Sequence, residues 1–290
     1  MTTGELPADS RIARLIELAL IEDAAFGDLT TEAIVPADQL GNGTILCKEE
    51  GVLAGLDTAA LVFTHCDPET TLEAAAAEGE RVRKGQTVAR ITGPLRAILL
   101  GERTALNFLQ RMSGIATLTR RYVDAVAGTR ARITDTRKTA PGLRLFDKLA
   151  VVRGGGVNHR FGLDDMVLIK DNHIASAGGL RRAVEQAVAW VRQRNLPVGI
   201  EVETSSLRDV EEALTCDGIT RIMLDNFPLD TMRLAVARIA ARVEVEASGG
   251  ITLENVHAVA ETGVDVISVG ALTHSPRALD FSLEVWSNAR

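Results

Sequence analysis

Residues 198–226 read VGIEVETSSLRDVEEALTCDGITRIMLDN, and the texture of this stretch decides the fold class. A short apolar run at 198–203 gives way to a helical pattern over 207–214, then to a second apolar run at 221–225. Polar residues close each run: Glu203 in the first, Asp225 and Asn226 in the second. Strand, helix, strand at a spacing of roughly two dozen residues marks a βα unit, because a parallel neighbour requires a crossover helix.

The pattern extends in both directions. Further apolar runs lie at 131–136, 166–170, 243–247 and 265–269, with helical patterns at 229–241 and 254–262. Their ends are again polar, at Asp135, Arg137, Lys170, Asn172, Ser248 and Gly270. In a parallel barrel such C-terminal strand ends share one mouth, where chemistry is placed. These six runs fall short of a full barrel's eight, so either the barrel is incomplete or some strands are hidden.

The first third has a different texture. Ser10 is placed to cap a helix carrying Ile12, Leu15, Ile16 and Ala19 on one face. Short strands are expected at 44–47 and 51–56, and strand-and-turn structure at 78–93. A long helix follows Pro94 with Leu95, Ile98, Leu99, Leu106, Leu109 and Met112 inward; Gly101 and Gly114 mark bends or close packing. The sequence thus reads as α/β with a mixed N-terminal unit.

Composition excludes several classes. Aromatic residues are only 3% of 290, so the core is built from Ala, Val, Leu and Ile, which suits helices on a parallel sheet. A net charge of −7 argues against a general nucleic-acid binder. Cys47, Cys66 and Cys216 form no ligand or disulfide pattern and read as buried thiols in a reducing compartment. No apolar run is long enough to span a bilayer, and residues 1–9 lack signal-peptide character, so a cytoplasmic location is expected.

Against that acidic background, residues 137–170 hold seven Lys and Arg (Arg137, Lys138, Arg144, Lys148, Arg153, Arg160, Lys170) and three acids, a net +4. A solvated basic face is the bland explanation. Strand-end placement, the Gly154–Gly156 run and the adjacent His159-Arg160 favour an anion pocket, one for a ligand with more than one negative group. Glu201 and Glu203 share a strand face, and with Asp225 they suit Mg²⁺ held with substrate phosphates. Ser248-Gly249-Gly250 and Gly270 follow consecutive late strands, where barrels commonly bind phosphate. Neither a Walker loop nor a strand-linked GxGxxG is present.

Residues 134–144 (TDTRKTAPGLR), 148–160 (KLAVVRGGGVNHR) and 167–173 (VLIKDNH) closely resemble the quinolinate phosphoribosyltransferase family. The resemblance continues through 201–203 (EVE), 223–226 (MLDN), 247–251 (ASGGI) and 268–270 (SVG). Earlier matches are 22–23 (ED), 27–30 (GDLT), 101–107 (GERTALN) and 113–114 (SG). It implies an incomplete α/β barrel at 115–274, preceded by an α/β open sandwich at 1–114 with the tail 275–290 packing back on it. The implied activity joins quinolinate to the ribosyl group of phosphoribosyl pyrophosphate, with loss of CO₂ and pyrophosphate, giving nicotinate mononucleotide for NAD biosynthesis.

By match to the family motifs, Arg137, His159, Arg160 and Lys170 would hold the two quinolinate carboxylates, and Arg103 would reach the pocket of a partner subunit in a homodimer. Lys138 would contact the phosphoribosyl donor. Glu203 and Asp225 would stand by the ribose and its Mg²⁺, and Ser248, Gly249, Gly250 and Gly270 would bind the 5′-phosphate. The stretch between Glu203 and Asp225 is about one residue longer than the common pattern, which leaves the choice between Glu201 and Glu203 open. A different acceptor on the same scaffold, a non-catalytic phosphate sensor, or an aldolase with Lys170 as Schiff-base amine are the rival readings.

Overall fold

A computed structural model describes residues 5–6 and 9–287 of the chain. In order, the elements are α1 (Ser10–Ala24), α2 (Leu29–Ile34), β1 (Leu40–Cys47), β2 (Gly51–Val52), α3 (Leu56–Cys66), β3 (Thr71–Ala74), β4 (Arg81–Val82), β5 (Thr87–Pro94) and α4 (Leu95–Ala125). There follow β6 (Arg132–Thr134), α5 (Arg144–Arg153), β7 (Val167–Ile169), α6 (Asp171–Ala177), α7 (Leu180–Gln193), β8 (Ile200–Thr204) and α8 (Leu207–Ala213). The last are β9 (Arg221–Asp225), α9 (Leu229–Ile239), β10 (Glu244–Ser248), α10 (Val256–Ala260), β11 (Val266–Ser268), α11 (Ala271–His274) and β12 (Phe281–Ser287). These elements pack as two units.

The first unit comprises the described residues up to Arg120, Thr139–Gly155, and those from Leu272 onward. Its antiparallel sheet has the order β12-β1-β5-β3, and the C-terminal strand pairs along β1 from Gly41↔Ser287 to Cys47↔Phe281. Alternate residues of β1 are buried, as a one-faced sheet requires. Gly114 of α4 makes a close crossing: a Cβ there would lie 2.2 Å from the Arg277 carbonyl oxygen. The N-cap of α1 is Asp9, whose carboxylate accepts the Arg11 N–H, so Ser10 is the first helical residue and not the cap.

A second sequence expectation also differs from this unit. The strand expected at 51–56 stops at Val52, and Leu56 opens α3. Leu56, Thr58, Ala59, Val62 and Phe63 of α3 are buried, but the five consecutive apolar residues 59–63 mask that spacing, since a short apolar run fits strand and helix alike. Residues 139–155, with α5, pack in the first unit. Arg111 there grips Asp147 through two 2.8 Å hydrogen bonds, Phe146 lies 4.8 Å from Phe108, and Arg153 pairs with Asp57 and Glu78.

The second unit comprises Arg121–Lys138 and Gly156–Ala271. Its six strands run parallel in the order β6-β11-β10-β9-β8-β7, and they are the six apolar runs of the sequence. An isolated parallel bridge from Val157 to Thr134 adds a one-residue rung beside β6. Helices separate the successive strands from β7 to β11. In α7, Leu180, Ala183, Val184, Val188 and Val191 form the buried stripe that covers the sheet. This is the barrel-like arrangement that the βα spacing predicts.

Register sorts the side chains into faces. Glu201, Arg221 and Glu244 are opposed across β8, β9 and β10; Glu203, Met223 and Glu246 project on the same face two residues on. Asp225 and Ser248 are paired two residues beyond Met223 and Glu246, at the C-terminal ends. One face of the sheet therefore carries a ladder of charge.

Candidate active site

Arg137 and Lys138 follow β6. The Lys138 N–H bonds Thr136 Oγ1 at 3.0 Å and its side chain is exposed; Arg137 is half-buried. Arg137 Nε is buried without a hydrogen-bond partner among the described residues. An unmet buried N–H costs on the order of 1–3 kcal/mol, more when charged, which an anion would offset. Arg160 stands within its field: burial, and then the Arg137 charge, push the Arg160 pKa below its ordinary value, while Glu201 and Asp165 oppose this. Two guanidiniums whose charges act on one another suit a ligand with more than one carboxylate.

The segment bearing Arg160 has no regular secondary structure and is held by side chains. Asp135, fully buried just past β6, accepts the His159 N–H at 2.9 Å and the Asn158 amide at 2.8 Å. Arg160 Nη1 donates to the Met166 carbonyl at 3.0 Å, and the Arg160 N–H donates to His159 Nδ1 at 2.8 Å. His159 Nε2 lies 3.2 Å from Glu201 and 3.3 Å from Glu246, both fully buried. Burial lowers the imidazole pKa, but these carboxylates outweigh it and carry it up to about 9. The Arg160 N–H resists a second proton, since a protonated Nδ1 cannot accept; the geometry describes a ring protonated on Nε2.

Lys170, at the end of β7, donates to Glu203 Oε2 at 2.6 Å. The Glu203 side chain is 16% exposed and that of Glu201 is 0%, so only Glu203 reaches towards the strand ends. Glu201 is engaged below, where Arg221 Nη1 is 3.8 Å away. Burial, with the charge of Glu246 beside it, pushes the Glu201 carboxyl up. Despite burial, His159 and Arg221 hold Glu246 below the usual carboxylate range.

Asp225 is half-buried at the end of β9, and its Oδ2 accepts from Asn226 at 2.8 Å. Glu203 and Asp225 thus offer oxygen donors on one face of adjacent strands, a set that fits Mg²⁺. The Ser248-Gly249-Gly250 turn has φ +89° at Gly249 and +62° at Gly250, and Asn226 lies over it. Gly270 is half-buried just after β11. Arg103 lies in the first unit, exposed on α4, and none of the described residues pairs with it, Glu102 included.

Sequence reading passed over Asp135 as more than a strand end, and it passed over Arg221, Asn226 and Glu246 as site residues. One signal for Glu246 was available: β10 repeats the Glu-Val-Glu of β8. Nothing local announces Arg221, whose partners come from other strands.

A parallel sheet with a cationic, glycine-turned set of strand ends defines an anion-handling protein of the α/β-barrel class. Residues 28–113 match the family model for the N-terminal domain of quinolinate phosphoribosyl transferase, and 115–284 match that for its C-terminal domain. The chain belongs to the quinolinate phosphoribosyl transferase family. It is 47% identical over 286 residues to the tobacco quinolinate phosphoribosyltransferase [decarboxylating] 1b, covering 93% of this chain and 81% of that one. An Arabidopsis relative, named a chloroplastic nicotinate-nucleotide pyrophosphorylase [carboxylating], is also 47% identical, with 93% and 82% covered. The crystal structure of NadC from Streptococcus pyogenes matches with a TM-score of 0.91 at 41% identity, covering 96% of this chain and 98% of that one.

Proposed function

We propose that this chain transfers the phosphoribosyl group of phosphoribosyl pyrophosphate to quinolinate and decarboxylates the adduct. The products are nicotinate mononucleotide, CO₂ and pyrophosphate, a step of NAD biosynthesis. The observation that carries the assignment of residues is the unpaired, buried Nε of Arg137, whose charge also acts on a second guanidinium, Arg160. Arg137, Arg160 and Lys170 hold the two carboxylates, and Arg103 of a partner subunit completes the pocket. His159, expected from the sequence to hold a carboxylate as well, instead supports Arg160 from beneath, since its Nδ1 takes the Arg160 N–H and its Nε2 faces Glu201 and Glu246. Lys138 contacts the donor. The Ser248–Gly250 turn and Gly270 receive the 5′-phosphate.

The pyridine nitrogen attacks ribose C1 as the bond to pyrophosphate breaks, so no protein nucleophile is required. Glu203 and Asp225 stabilise the oxocarbenium-like charge at C1. Bound Mg²⁺, held by these carboxylates with substrate and water, supplies neutralisation of the leaving group. The alkylated, positive ring nitrogen then stabilises the carbanion left on the neighbouring ring carbon when its carboxylate departs as CO₂, and a proton taken up from solvent at that carbon completes the product. The protein's part is to orient both substrates and exclude water.

Assembly as a homodimer is supported by an apolar surface on the first two helices: Leu18, Ile21, Phe26, Leu29 and Ile34 are all more than half exposed. Among the described residues no helix is long and apolar enough to cross a membrane. The three free thiols suit a reducing compartment, and the cytoplasm is proposed.

The test is turnover by the purified protein with quinolinate, the donor and Mg²⁺, following CO₂ and pyrophosphate. Nicotinate should be far poorer, because leaving the pocket's charges unmet costs on the order of several kcal/mol. Comparable kcat/KM for the two acids would overturn the assignment. Chelating Mg²⁺ should stop turnover while calorimetric quinolinate binding persists; loss of both would place the metal in the acceptor pocket.

A further inference from the structure

Glu201 and Glu246 are fully buried on the charged face of the parallel sheet, a place barrels ordinarily fill with branched apolar side chains. Both Glu201 oxygens and Glu246 Oε1 lack hydrogen-bond partners among the described residues. Buried charge of this kind is a poor source of stability, since apolar packing would serve as well or better. A metal is a second explanation, as ligating atoms of His159, Glu201 and Glu246 lie within 4.8 Å of one another. Arg221 argues against it: Nη1 is 3.0 Å from Glu246 Oε2 and 3.8 Å from Glu201 Oε2, so a fixed cation already stands beside the pair.

What the carboxylates do hold is His159. Its buried Nε2 lies at ion-pair distance from both, 3.2 and 3.3 Å, and its Nδ1 accepts the N–H of the next residue, Arg160. Both ring nitrogens are therefore turned inside the protein. Asp135 fixes the same irregular segment from the other side, through the His159 N–H. A guanidinium on an irregular segment is aimed only as well as the backbone beneath it is fixed.

We propose that Glu201 and Glu246 are positioning residues for the acceptor site: they hold His159, whose ring anchors the Arg160 backbone and so aims the Arg160 guanidinium at a substrate carboxylate. His159 then acts as a strut. The inference rests on the quinolinate reading above and deepens it.

Glu246→Met removes the acceptor at similar length, and Glu246→Gln keeps one. Met should weaken quinolinate binding by about tenfold or more, with KM for the phosphoribosyl donor and kcat at saturating quinolinate altered less than about threefold. Gln should restore most of the affinity. In a Glu246→Met/His159→Ala double variant, binding should be no weaker than in His159→Ala alone, because both changes remove one strut. Unchanged affinity in the Met variant, or additive losses in the double, would overturn the proposal. If Glu246→Met fails to fold, Glu201→Met and the imidazole ¹⁵N spectrum of the wild type take its place. The spectrum should show one fixed tautomer for His159, protonated on Nε2, and averaging of tautomers would refute the strut. Failure of wild-type protein to bind quinolinate would instead defeat the functional reading itself.

Discussion

Replacing Gly249 by alanine perturbs the proposed phosphate turn at a point where the geometry allows the cost to be worked out. The residue has φ +89°, a region where an L-residue is strained by about 1–2 kcal/mol. The new Cβ would stand 2.3 Å from Asn226 Oδ1 and 2.5 Å from its Cγ, so the Asn226 side chain must swing away. Swinging breaks its 2.8 Å hydrogen bond to Asp225, and a bond to a charged group is worth about 1.5–3 kcal/mol. Together these come to about 3 kcal/mol, or roughly a hundredfold in kcat/KM for the phosphoribosyl donor. Initial rates of pyrophosphate release at saturating quinolinate measure it. Asn226→Ala alone loses only the bond to Asp225, and should fall about tenfold to thirtyfold. The double variant has room for the new methyl, so it should match Gly249→Ala at roughly a hundredfold and not multiply the two losses. Multiplicative losses, or a Gly249→Ala defect confined to quinolinate affinity, would refute this account of the turn.

The exposed Arg103 makes a mixing prediction: inactive Arg103→Ala and Lys170→Ala proteins, after verified subunit exchange, should recover about a quarter of wild-type activity, given independent shared sites in dimers. No recovery would return Arg103 to its own chain. Glu246 makes a pH prediction. Its carboxyl is held below the usual range by His159 and Arg221, so its stabilisation is present above the ordinary Glu value of about 4.3 and lost as pH falls through its lowered folded value. The stability gap between wild type and Glu246→Gln in urea unfolding should therefore shrink between about pH 5 and pH 3; a constant gap would show that the carboxylate is not so held.

The six parallel strands were legible in the sequence because each is a short apolar run punctuated by polar residues, a property local to the chain. The cations at 137–170 were equally legible, since positive charges clustered in an acidic protein are a fact of composition. Helix α3 was not, because its uninterrupted apolar run at 59–63 reads equally as strand or helix. Nor was the place of α5, which depends on Arg111 finding Asp147 and on Arg153 finding Asp57, 36 and 96 residues apart in the chain. Most telling is the choice between Glu201 and Glu203. Both stand on one strand with the same parity, in the same Glu-Val-Glu, and no local rule separates them. Only the folded sheet does so, by bringing Lys170 to Glu203 near the strand ends and burying Glu201 against His159 and Arg221 below. A carboxylate's role is set by the charges that long-range packing brings to it, and a sequence records those charges without their distances.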